Sequence, residues 1–399
     1  MATSAFSVRP SMAYLTLGAV GISMALVLRS LQEHGTKKQC IRSPRETLLP
    51  RLNEDDIASL PYPPDILPGS RDVQTPYGTI KVFEWGPEDG ERVLLLHGIS
   101  TPCLSLANLA EALVAQGYRV MIFDFFGRGW SDTPTDVPYD IRLYTSQILL
   151  VLASSNLPWT GDNGFHLIGY SLGGGVSVAF AKFFPHMVRS LVLIAGGGLI
   201  RPEHVGTRSK ILYSTGLFPE WALERVVKSR LMPKKVINEE QVASEVVGST
   251  PKIHKNSDAS GGHSYDNAVL STRRPRLTVS AVMNFQLLHH EGFIHAFMSS
   301  IRHAPIYEQQ EDWTALGRLL AARRVERLPG LCGGRVLFLL GKTDSVIVRE
   351  EFIHDATALL GEDAIAAVSL DCGHEIVMTK GETLARLAIQ FWKDASSTR

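Results

Sequence analysis

The chain has 399 residues, of which 45% are hydrophobic and 20% are charged, and its formal net charge is zero. A chain of this length can bury a large core, and its neutral charge balance gives no electrostatic basis for a nucleic-acid partner. Its four cysteines lie far apart without a Cys-x-x-Cys pair, which argues against a zinc site and against a disulfide framework.

The amino-terminal region contains an uncharged, mostly apolar run over residues 12–28. As a helix it would be about 25 Å long, near the lower limit for crossing a bilayer. Several Lys and Arg residues follow the run, so the positive-inside rule would place the rest of the chain in the cytosol. We therefore expect residues 1–29 to form the membrane anchor of a single-pass protein. A mitochondrial presequence or a cleaved signal peptide is the alternative.

A proline-rich stretch, residues 30–72, predicts a linker and entry segment that lead into the main folded domain. The first part of the core, residues 73–198, then alternates between short apolar runs and helical patterns. The predicted strands cover residues 79–85, 92–96, 119–123, 164–168 and 190–194, and the predicted helices cover 104–115, 141–152 and 176–184. Such alternation requires a mostly parallel sheet covered by helices on both faces.

The alternation stops after residue 198 and resumes with a buried-strand pattern at residues 336–340. The segment between them is too long for a simple connection, and we expect it to form a helical cap over residues 199–334. Its helical patterns lie at residues 220–232 and 277–301, and the polar stretch 248–276 predicts a flexible loop. The second part of the core, residues 335–399, is expected to supply helix 349–360, strand 364–370 and helix 382–392.

The most informative motif is Gly-x-Ser-x-Gly at residues 169–173, between a predicted strand and a predicted helix. On so sharp a turn, side chains two residues before and after Ser171 would collide, and Gly169 and Gly173 relieve that crowding. The hydroxyl of Ser171 would then stand above the sheet edge, and the amide of Leu172 could hold a developing oxyanion. Taken alone, the motif is equally consistent with a tightly packed turn. A dinucleotide fingerprint is excluded because it needs glycine at position 171.

Further strand ends complete a catalytic constellation. Asp344 follows the strand at 336–340, and His374 follows the strand at 364–370, which gives the Ser-Asp-His order of a hydrolase triad. His374 would remove the Ser171 proton, and Asp344 would orient His374. The loop after strand 92–96 offers the amide of Ile99 as a second oxyanion donor. Each residue alone has an ordinary structural explanation, such as helix capping by Asp344, but their coincidence in this order favours catalysis.

A zinc-protease-like pattern occurs at residues 290–295, but it has one residue too many. Histidines five positions apart lie on different sides of a helix and cannot share one metal ion as an i, i+4 pair does. We therefore expect no metal site in this segment, and neither a metal nor an organic cofactor is needed for the triad chemistry.

From about residue 73 to its carboxyl terminus, the chain resembles serine hydrolases of the α/β-hydrolase fold. The residues that carry the resemblance are His97-Gly98, Asp124 through Ser131, the elbow at 169–173, Gly341 through Asp344, and Gly373-His374. The resemblance implies that Asp124 and residues 127–131 shape the core and the pocket wall. The cap and anchor resemble those of membrane-bound, monoacylglycerol-lipase-like enzymes.

These observations predict a membrane-tethered serine hydrolase that cleaves a small-molecule or lipid ester with an apolar acyl group, through an acyl-enzyme on Ser171. One alternative is hydrolysis of a thioester, a lactone or a carbon–carbon bond in a secondary-metabolite pathway. The other is a non-catalytic receptor that keeps the fold and binds a ligand beneath the cap. The sequence indicates no oligomeric state.

Overall fold

The computed structural model describes residues 21–25, 39–161, 164–204, 206, 212–216, 218–232, 262–326 and 328–397. The strands in this part of the chain are β1 (Cys40–Ile41), β2 (Ser70–Thr75), β3 (Gly78–Trp85), β4 (Arg92–Leu96), β5 (Arg119–Phe123), β6 (Thr133–Pro134), β7 (Phe165–Tyr170), β8 (Val188–Ile194), β9 (Val336–Gly341) and β10 (Ile365–Leu370). Among the described residues from 39 onward, the α-helices are α1 (Pro44–Thr47), α2 (Glu54–Ser59), α3 (Ala107–Ala115), α4 (Ile141–Ala153), α5 (Leu172–Phe183), α6 (Glu220–Leu231), α7 (His263–Asp266), α8 (Val279–His289), α9 (Phe293–His303), α10 (Gln310–Val325), α11 (Arg349–Leu360), α12 (Ile376–Thr379) and α13 (Gly381–Ser397).

Eight strands form one sheet in the order β10-β9-β8-β7-β4-β5-β3-β2. The six strands from β10 to β5 are parallel to one another, and β3 and β2 complete the other edge as antiparallel neighbours. The carboxyl ends of the parallel strands therefore share one edge, and β7 lies near the middle of the row. The prediction of a mostly parallel sheet is confirmed.

The central strands are largely apolar because helices cover both faces of the sheet. Every residue of β7 and of β9 is buried. Helices α3 and α13 pack against each other in one layer, whereas α4, α5, α10 and α11 pack in series in a second layer. Trp313 of α10 stacks on Phe338 of β9 with ring centroids 6.1 Å apart, which joins the second layer to the sheet.

We use the name cap for helices α6 to α9, which lie between β8 and β9 in the chain. The single helix expected over residues 277–301 is two helices, α8 and α9, because the backbone leaves the helical conformation at His290. Gly292 lies at this break, where an added Cβ would overlap the side chain of Thr133. Helix α10 also falls within the predicted cap range, yet it packs on α5 and α11. The division of the chain into the five predicted segments stays a prediction.

The polar stretch at residues 248–276 is only partly within the described residues. Residues 248–261 lie outside them. Residues 262–276 are ordered rather than a plain loop: they contain α7, and Tyr265 and Leu270 are buried. The amide of Leu270 donates to the carbonyl of Leu277, which closes a turn before α8.

The predicted membrane anchor lies mostly outside the described residues, which include only 21–25 of the apolar run. A bilayer core about 30 Å thick needs about 20 consecutive apolar residues in a helix. Within the part of the chain that the structure describes, none of the helices is both long enough and apolar enough to cross a membrane. This finding overturns the prediction of a single-pass membrane protein anchored through residues 1–29. The membrane partner and the membrane location that depended on this prediction are therefore not supported either.

Candidate active site

The turn between β7 and α5 holds Ser171 in an unusual backbone conformation. Its φ is 53° and its ψ is −120°, a region that costs a non-glycine residue about 1–3 kcal/mol. Hydrogen bonds on both sides hold this conformation. The Ser171 amide donates to the carbonyl of Ile194 at 3.1 Å, and its carbonyl accepts from the amides of Gly174 at 2.8 Å and Gly197 at 2.7 Å.

Glycine occupies positions 169 and 173 because the backbone approaches too closely there for a side chain. A Cβ on Gly169 would overlap the carbonyl oxygen of Gly173 and the hydroxyl of Ser177. A Cβ on Gly173 would overlap the carbonyl oxygen of Leu96, at the end of β4. Both predicted glycines therefore allow α5 to start directly against the sheet edge.

Ser171, His374 and Asp344 come together at this edge. The Nε2 atom of His374 lies 3.1 Å from the Ser171 hydroxyl, and its Nδ1 atom lies 2.8 Å from Oδ2 of Asp344. The other carboxylate oxygen, Oδ1, accepts from the amides of Val346 at 2.8 Å and Ile347 at 2.9 Å. One oxygen thus fixes the carboxylate to its own loop, and the other is left for the imidazole.

The hydrogen-bond partners determine which nitrogen of His374 carries a proton. A carboxylate only accepts hydrogen bonds, so Nδ1 must donate to Asp344. In the neutral ring Nε2 is then the acceptor, and it faces the Ser171 hydroxyl. This is the arrangement in which an imidazole can remove a proton from a serine.

The loop after β4 lies directly against the elbow. The amide of Gly173 donates to the carbonyl of His97 at 3.1 Å, and a Cβ on Gly98 would lie 3.4 Å from the Cβ of Ser171. Leu172 is the first residue of α5, so its amide has no acceptor within the helix. The two predicted oxyanion donors, Ile99 and Leu172, therefore belong to segments that both adjoin Ser171.

His97 fixes the orientation of the peptide group that precedes Ile99. The amide of Phe125 donates to Nε2 of His97 at 2.8 Å, which leaves Nδ1–H to donate to the carbonyl of Gly98 at 2.7 Å. Burial lowers the pKa of His97 to about 3, so the ring is neutral at physiological pH. In a trans peptide the C=O and N–H bonds point in opposite directions, so holding the Gly98 carbonyl also aims the Ile99 amide.

Comparison with known proteins identifies the fold. A family model described as alpha/beta hydrolase fold matches residues 91–226. The structure of a bacterial membrane phospholipase A has a TM-score of 0.54 at 18% identity and covers 96% of this chain and 99% of its own. The chain has the α/β-hydrolase fold. A second α/β-hydrolase structure, 2-hydroxy-6-oxo-6-phenylhexa-2,4-dienoate hydrolase of Rhodococcus sp. strain RHA1, has a TM-score of 0.53 at 15% identity and covers 81% of this chain and 98% of its own.

Among curated proteins, the serine hydrolase-like protein of Homo sapiens is 36% identical over 123 residues, which are 31% of this chain and 58% of that protein. The chain spans 39% of the length of other curated relatives that it matches. The region that the family model matches, residues 91–226, includes the elbow but ends before Asp344 and His374.

Asp124, one of the residues that carry the α/β-hydrolase resemblance, is fully buried and accepts several hydrogen bonds. Its carboxylate accepts from the amides of Cys103 and Trp130, each at 2.9 Å, and from the hydroxyl of Tyr62 at 3.0 Å. Burial raises the pKa of Asp124 to about 6. These bonds tie together three loops beneath the site, as expected for a residue that shapes the core.

The two cysteines near the site are poor nucleophiles. Burial raises the pKa of the Cys103 thiol well above its usual range. The pKa of Cys372 is raised to about 11, first by burial and then by the carboxylate of Glu375. Because the thiolate is the reactive form, neither cysteine competes with Ser171 at neutral pH.

One group of three metal-type side chains occurs among the described residues: Glu203, His204 and Glu351. The guanidinium of Arg201 lies 3.7 Å from each of the two carboxylates, and His204 lies 2.6 Å from Glu351. A guanidinium therefore already lies against both carboxylates, and we assign no metal to this cluster.

Two tyrosines that the sequence analysis did not single out also border the site. The hydroxyl of Tyr170 donates to the carbonyl of His374, and the ring of Tyr265, on the cap, lies 5.9 Å from the His374 ring. The Tyr265 hydroxyl is 3.2 Å from the hydroxyl of Ser100. Tyr170 is visible in the sequence as the second residue of the elbow motif, but its partner is 204 positions away. No local sequence pattern indicates that Tyr265 lies near the site.

Proposed function

We propose that this protein is a serine hydrolase that cleaves carboxylic esters through an acyl-enzyme on Ser171. The observation that carries the proposal is the continuous hydrogen-bonded line from the Ser171 hydroxyl through His374 to Asp344, with distances of 3.1 and 2.8 Å. The curated serine hydrolase-like relative supports the same reaction class.

In the acylation step, Nε2 of His374 takes the proton of the Ser171 hydroxyl as the serine oxygen bonds to the ester carbonyl carbon. The resulting imidazolium keeps its Nδ1–H bond to Asp344, which stabilises the positive charge. The amides of Ile99 and Leu172 hold the oxyanion. When the tetrahedral intermediate collapses, the carbon–oxygen bond to the alcohol breaks, and His374 returns the proton to the departing alcohol.

In the deacylation step, a water molecule takes the place of the alcohol. His374 removes a proton from this water as its oxygen bonds to the acyl carbon. The bond from that carbon to Ser171 then breaks, His374 returns the proton to the serine oxygen, and a carboxylic acid leaves. No metal or organic cofactor enters either step.

For the substrate, we propose an ester with an apolar acyl group, monoacylglycerol-type esters included. An aromatic side chain of the cap, Tyr265, lies beside His374, and the apolar side chains of Leu172, in the elbow, and Ile99, in the adjoining loop, are buried. The phospholipase and the dienoate hydrolase share only the fold with this chain, so their substrates do not support this proposal.

Covalent labelling by a fluorophosphonate probe tests the proposal. The wild-type chain is expected to label at Ser171, and Ser171→Ala is expected to abolish labelling. Ser190→Ala is the matched control because Ser190 is also a buried serine, but it lies in β8 and bonds to His166 near the start of β7, away from the elbow. Absence of labelling in the folded wild-type chain would contradict the proposal and favour the non-catalytic receptor.

A substrate panel tests the bond type. p-Nitrophenyl esters of short and long acyl chains, a thioester, a lactone and a vinylogous 1,5-diketone are compared by kcat/KM. We expect long-chain esters to be preferred. Labelling at Ser171 together with turnover confined to the thioester, the lactone or the diketone would keep the triad and reject the ester assignment.

A further inference from the structure

The loop that carries the Ile99 amide is held at three consecutive carbonyl groups. The carbonyl of Gly98 accepts from His97, the carbonyl of Ile99 accepts from Nε of Arg128 at 3.1 Å, and the carbonyl of Ser100 accepts from Nε2 of Gln286 at 2.9 Å. His97 and Arg128 belong to the core, whereas Gln286 belongs to α8 of the cap. The backbone around the candidate oxyanion donor is therefore fixed partly from outside the core.

Gln286 is buried and uses both ends of its side-chain amide. Its Oε1 atom accepts from the amide of Gly129 at 2.9 Å, and its Nε2 atom donates to Ser100. A backbone N–H can only donate, so the Gly129 contact fixes which end of the amide is oxygen. The side chain thus bridges the loop at residues 97–100 to the loop at residues 124–131.

Arg128 reaches the same two parts of the molecule from the core side. Besides Ile99, its guanidinium donates to the carbonyl of Phe126 at 3.0 Å and to the hydroxyl of Ser300 in α9 at 2.7 Å. The Ser300 hydroxyl donates to the carbonyl of Ala296, so it receives the Arg128 bond as an acceptor. The oxyanion loop, Arg128 and the cap are linked in one buried hydrogen-bonded network.

We propose that Gln286 is a positioning residue of the cap that, together with Arg128, holds the oxyanion loop in its reactive conformation. The inference rests on the proposed function. The peptide groups on both sides of Ile99 are held, by His97 and by Arg128, and Gln286 holds the next one. Releasing one of these carbonyls lets the Ile99 amide turn away from the oxyanion, and a displacement of about 1 Å costs up to about 100-fold in rate.

Two other polar contacts join the cap to the core without involving the oxyanion loop, and they serve as controls. The hydroxyl of Ser299, one residue before Ser300, accepts from the amide of Tyr139 at 3.1 Å. The ring of His290 donates to the carbonyl of Ser131 at 2.9 Å. Neither side chain bonds to residues 97–100, so either can be removed to separate cap attachment from loop positioning.

The experiment compares Gln286→Met, which keeps the side-chain length without a polar group, with Ser299→Ala. Hydrolysis of p-nitrophenyl butyrate and thermal unfolding are measured for both variants and the wild-type chain. Gln286→Met is expected to lower kcat by about 10-fold to 100-fold with KM within about twofold of wild type, because the loop acts on the transition state. Ser299→Ala is expected to leave kcat within about twofold.

A second variant keeps the test decisive if Gln286→Met does not fold. Gln286→Glu keeps the acceptor for Gly129, but an ionised carboxylate cannot donate to Ser100. It is expected to show the same loss of kcat at pH 8. A wild-type kcat in either folded variant, or a loss no larger than that of Ser299→Ala, would overturn the inference while Ser171 still labels. Failure of wild-type labelling would instead overturn the proposed function itself.

Discussion

The hydroxyl of Tyr170 donates a hydrogen bond of 2.7 Å to the carbonyl oxygen of His374, and the two rings lie 5.3 Å apart. Tyr170 is the last residue of β7 and immediately precedes Ser171. The same strand end therefore presents the hydroxyl and holds the backbone of the residue that would deprotonate it. This bond keeps the loop after β10 in register with the elbow.

Replacing this tyrosine tests the connection. Tyr170→Phe keeps the ring but leaves a buried carbonyl without its donor, which is expected to cost about 1–3 kcal/mol of unfolding free energy. We also expect a lower kcat because His374 is less firmly placed. Urea unfolding and ester hydrolysis measure the two effects. A variant with wild-type stability and wild-type kcat would show that the bond positions nothing.

The carboxylate of Asp344 offers a substitution that changes chemistry with little change in shape. In Asp344→Asn the carbonyl oxygen can still accept from Val346 and Ile347, but the amide NH₂ faces Nδ1 of His374. The imidazole then carries its proton on Nε2 and cannot accept from Ser171. We expect kcat to fall about 1,000-fold to 10,000-fold, with the melting temperature nearly unchanged. Equal losses of stability and activity would contradict this explanation.

The close approach at Gly173 predicts a strict requirement for glycine. Gly173→Ala would drive a methyl group into the carbonyl of Leu96, so the elbow must shift or the variant must unfold. We expect a large loss of stability and loss of fluorophosphonate labelling. Gly21→Ala is the control, since an added Cβ there meets nothing within 4 Å. A stable, fully labelled Gly173→Ala variant would rule out the close approach as the reason for this glycine.

Two buried histidines predict destabilisation by acid. Burial lowers the pKa of His97 to about 3 and that of His290 to about 4, from 6.5 for an ordinary histidine. Below pH 6.5 the unfolded chain therefore binds protons that the folded chain does not, and each histidine lowers stability by about 1.4 kcal/mol per pH unit. Asp124 acts in the opposite direction, because its raised pKa of about 6 lets the folded chain bind a proton first as the pH falls.

His290→Gln isolates one of these contributions. Glutamine can still donate to the carbonyl of Ser131, the partner of His290, but it does not titrate. Urea unfolding at pH 6 and pH 5 is expected to show a dependence on pH that is shallower by about 1.4 kcal/mol per unit than in the wild-type chain. The same slope in both proteins would mean that His290 is already protonated in the folded state at pH 5.

The candidate-site residues that the sequence predicts are those with local signals. Ser171, Asp344 and His374 each follow an apolar run, and parallel strands bring their carboxyl ends to one edge. Gln286 had no such signal because it bonds to backbone groups, which every residue carries. Arg128 was singled out only as part of the signature Asp124 through Ser131, and nothing in the sequence indicated its bond to the Ile99 carbonyl. Gln286 is 186 positions from Ser100, and no spacing rule connects the two.

The incorrect expectations have physical reasons of the same kind. The helical pattern over residues 277–301 is continuous and gives no sign of the break near Gly292. At this break the side chain of Thr133, far away in the chain, packs against the backbone of Gly292. The apolar run at residues 12–28 is of nearly spanning length, and hydropathy alone could not decide its structure. Contacts between residues far apart in the chain determine where a helix breaks, and a single sequence does not reveal these contacts.

The sheet order has a consequence for how the protein acquires activity. Ser171 leaves β7 at the middle of the sheet, whereas Asp344 and His374 arrive with β9 and β10, which are added outward from β8. The serine and the histidine are 203 positions apart, and contacts of such long range form late because closing the chain between them is entropically costly. Under the proposed function, a nascent polypeptide that emerges amino terminus first would carry an unactivated serine until β10 docks. Folding and reactivity would then be completed together, so partly folded chains would not hydrolyse esters.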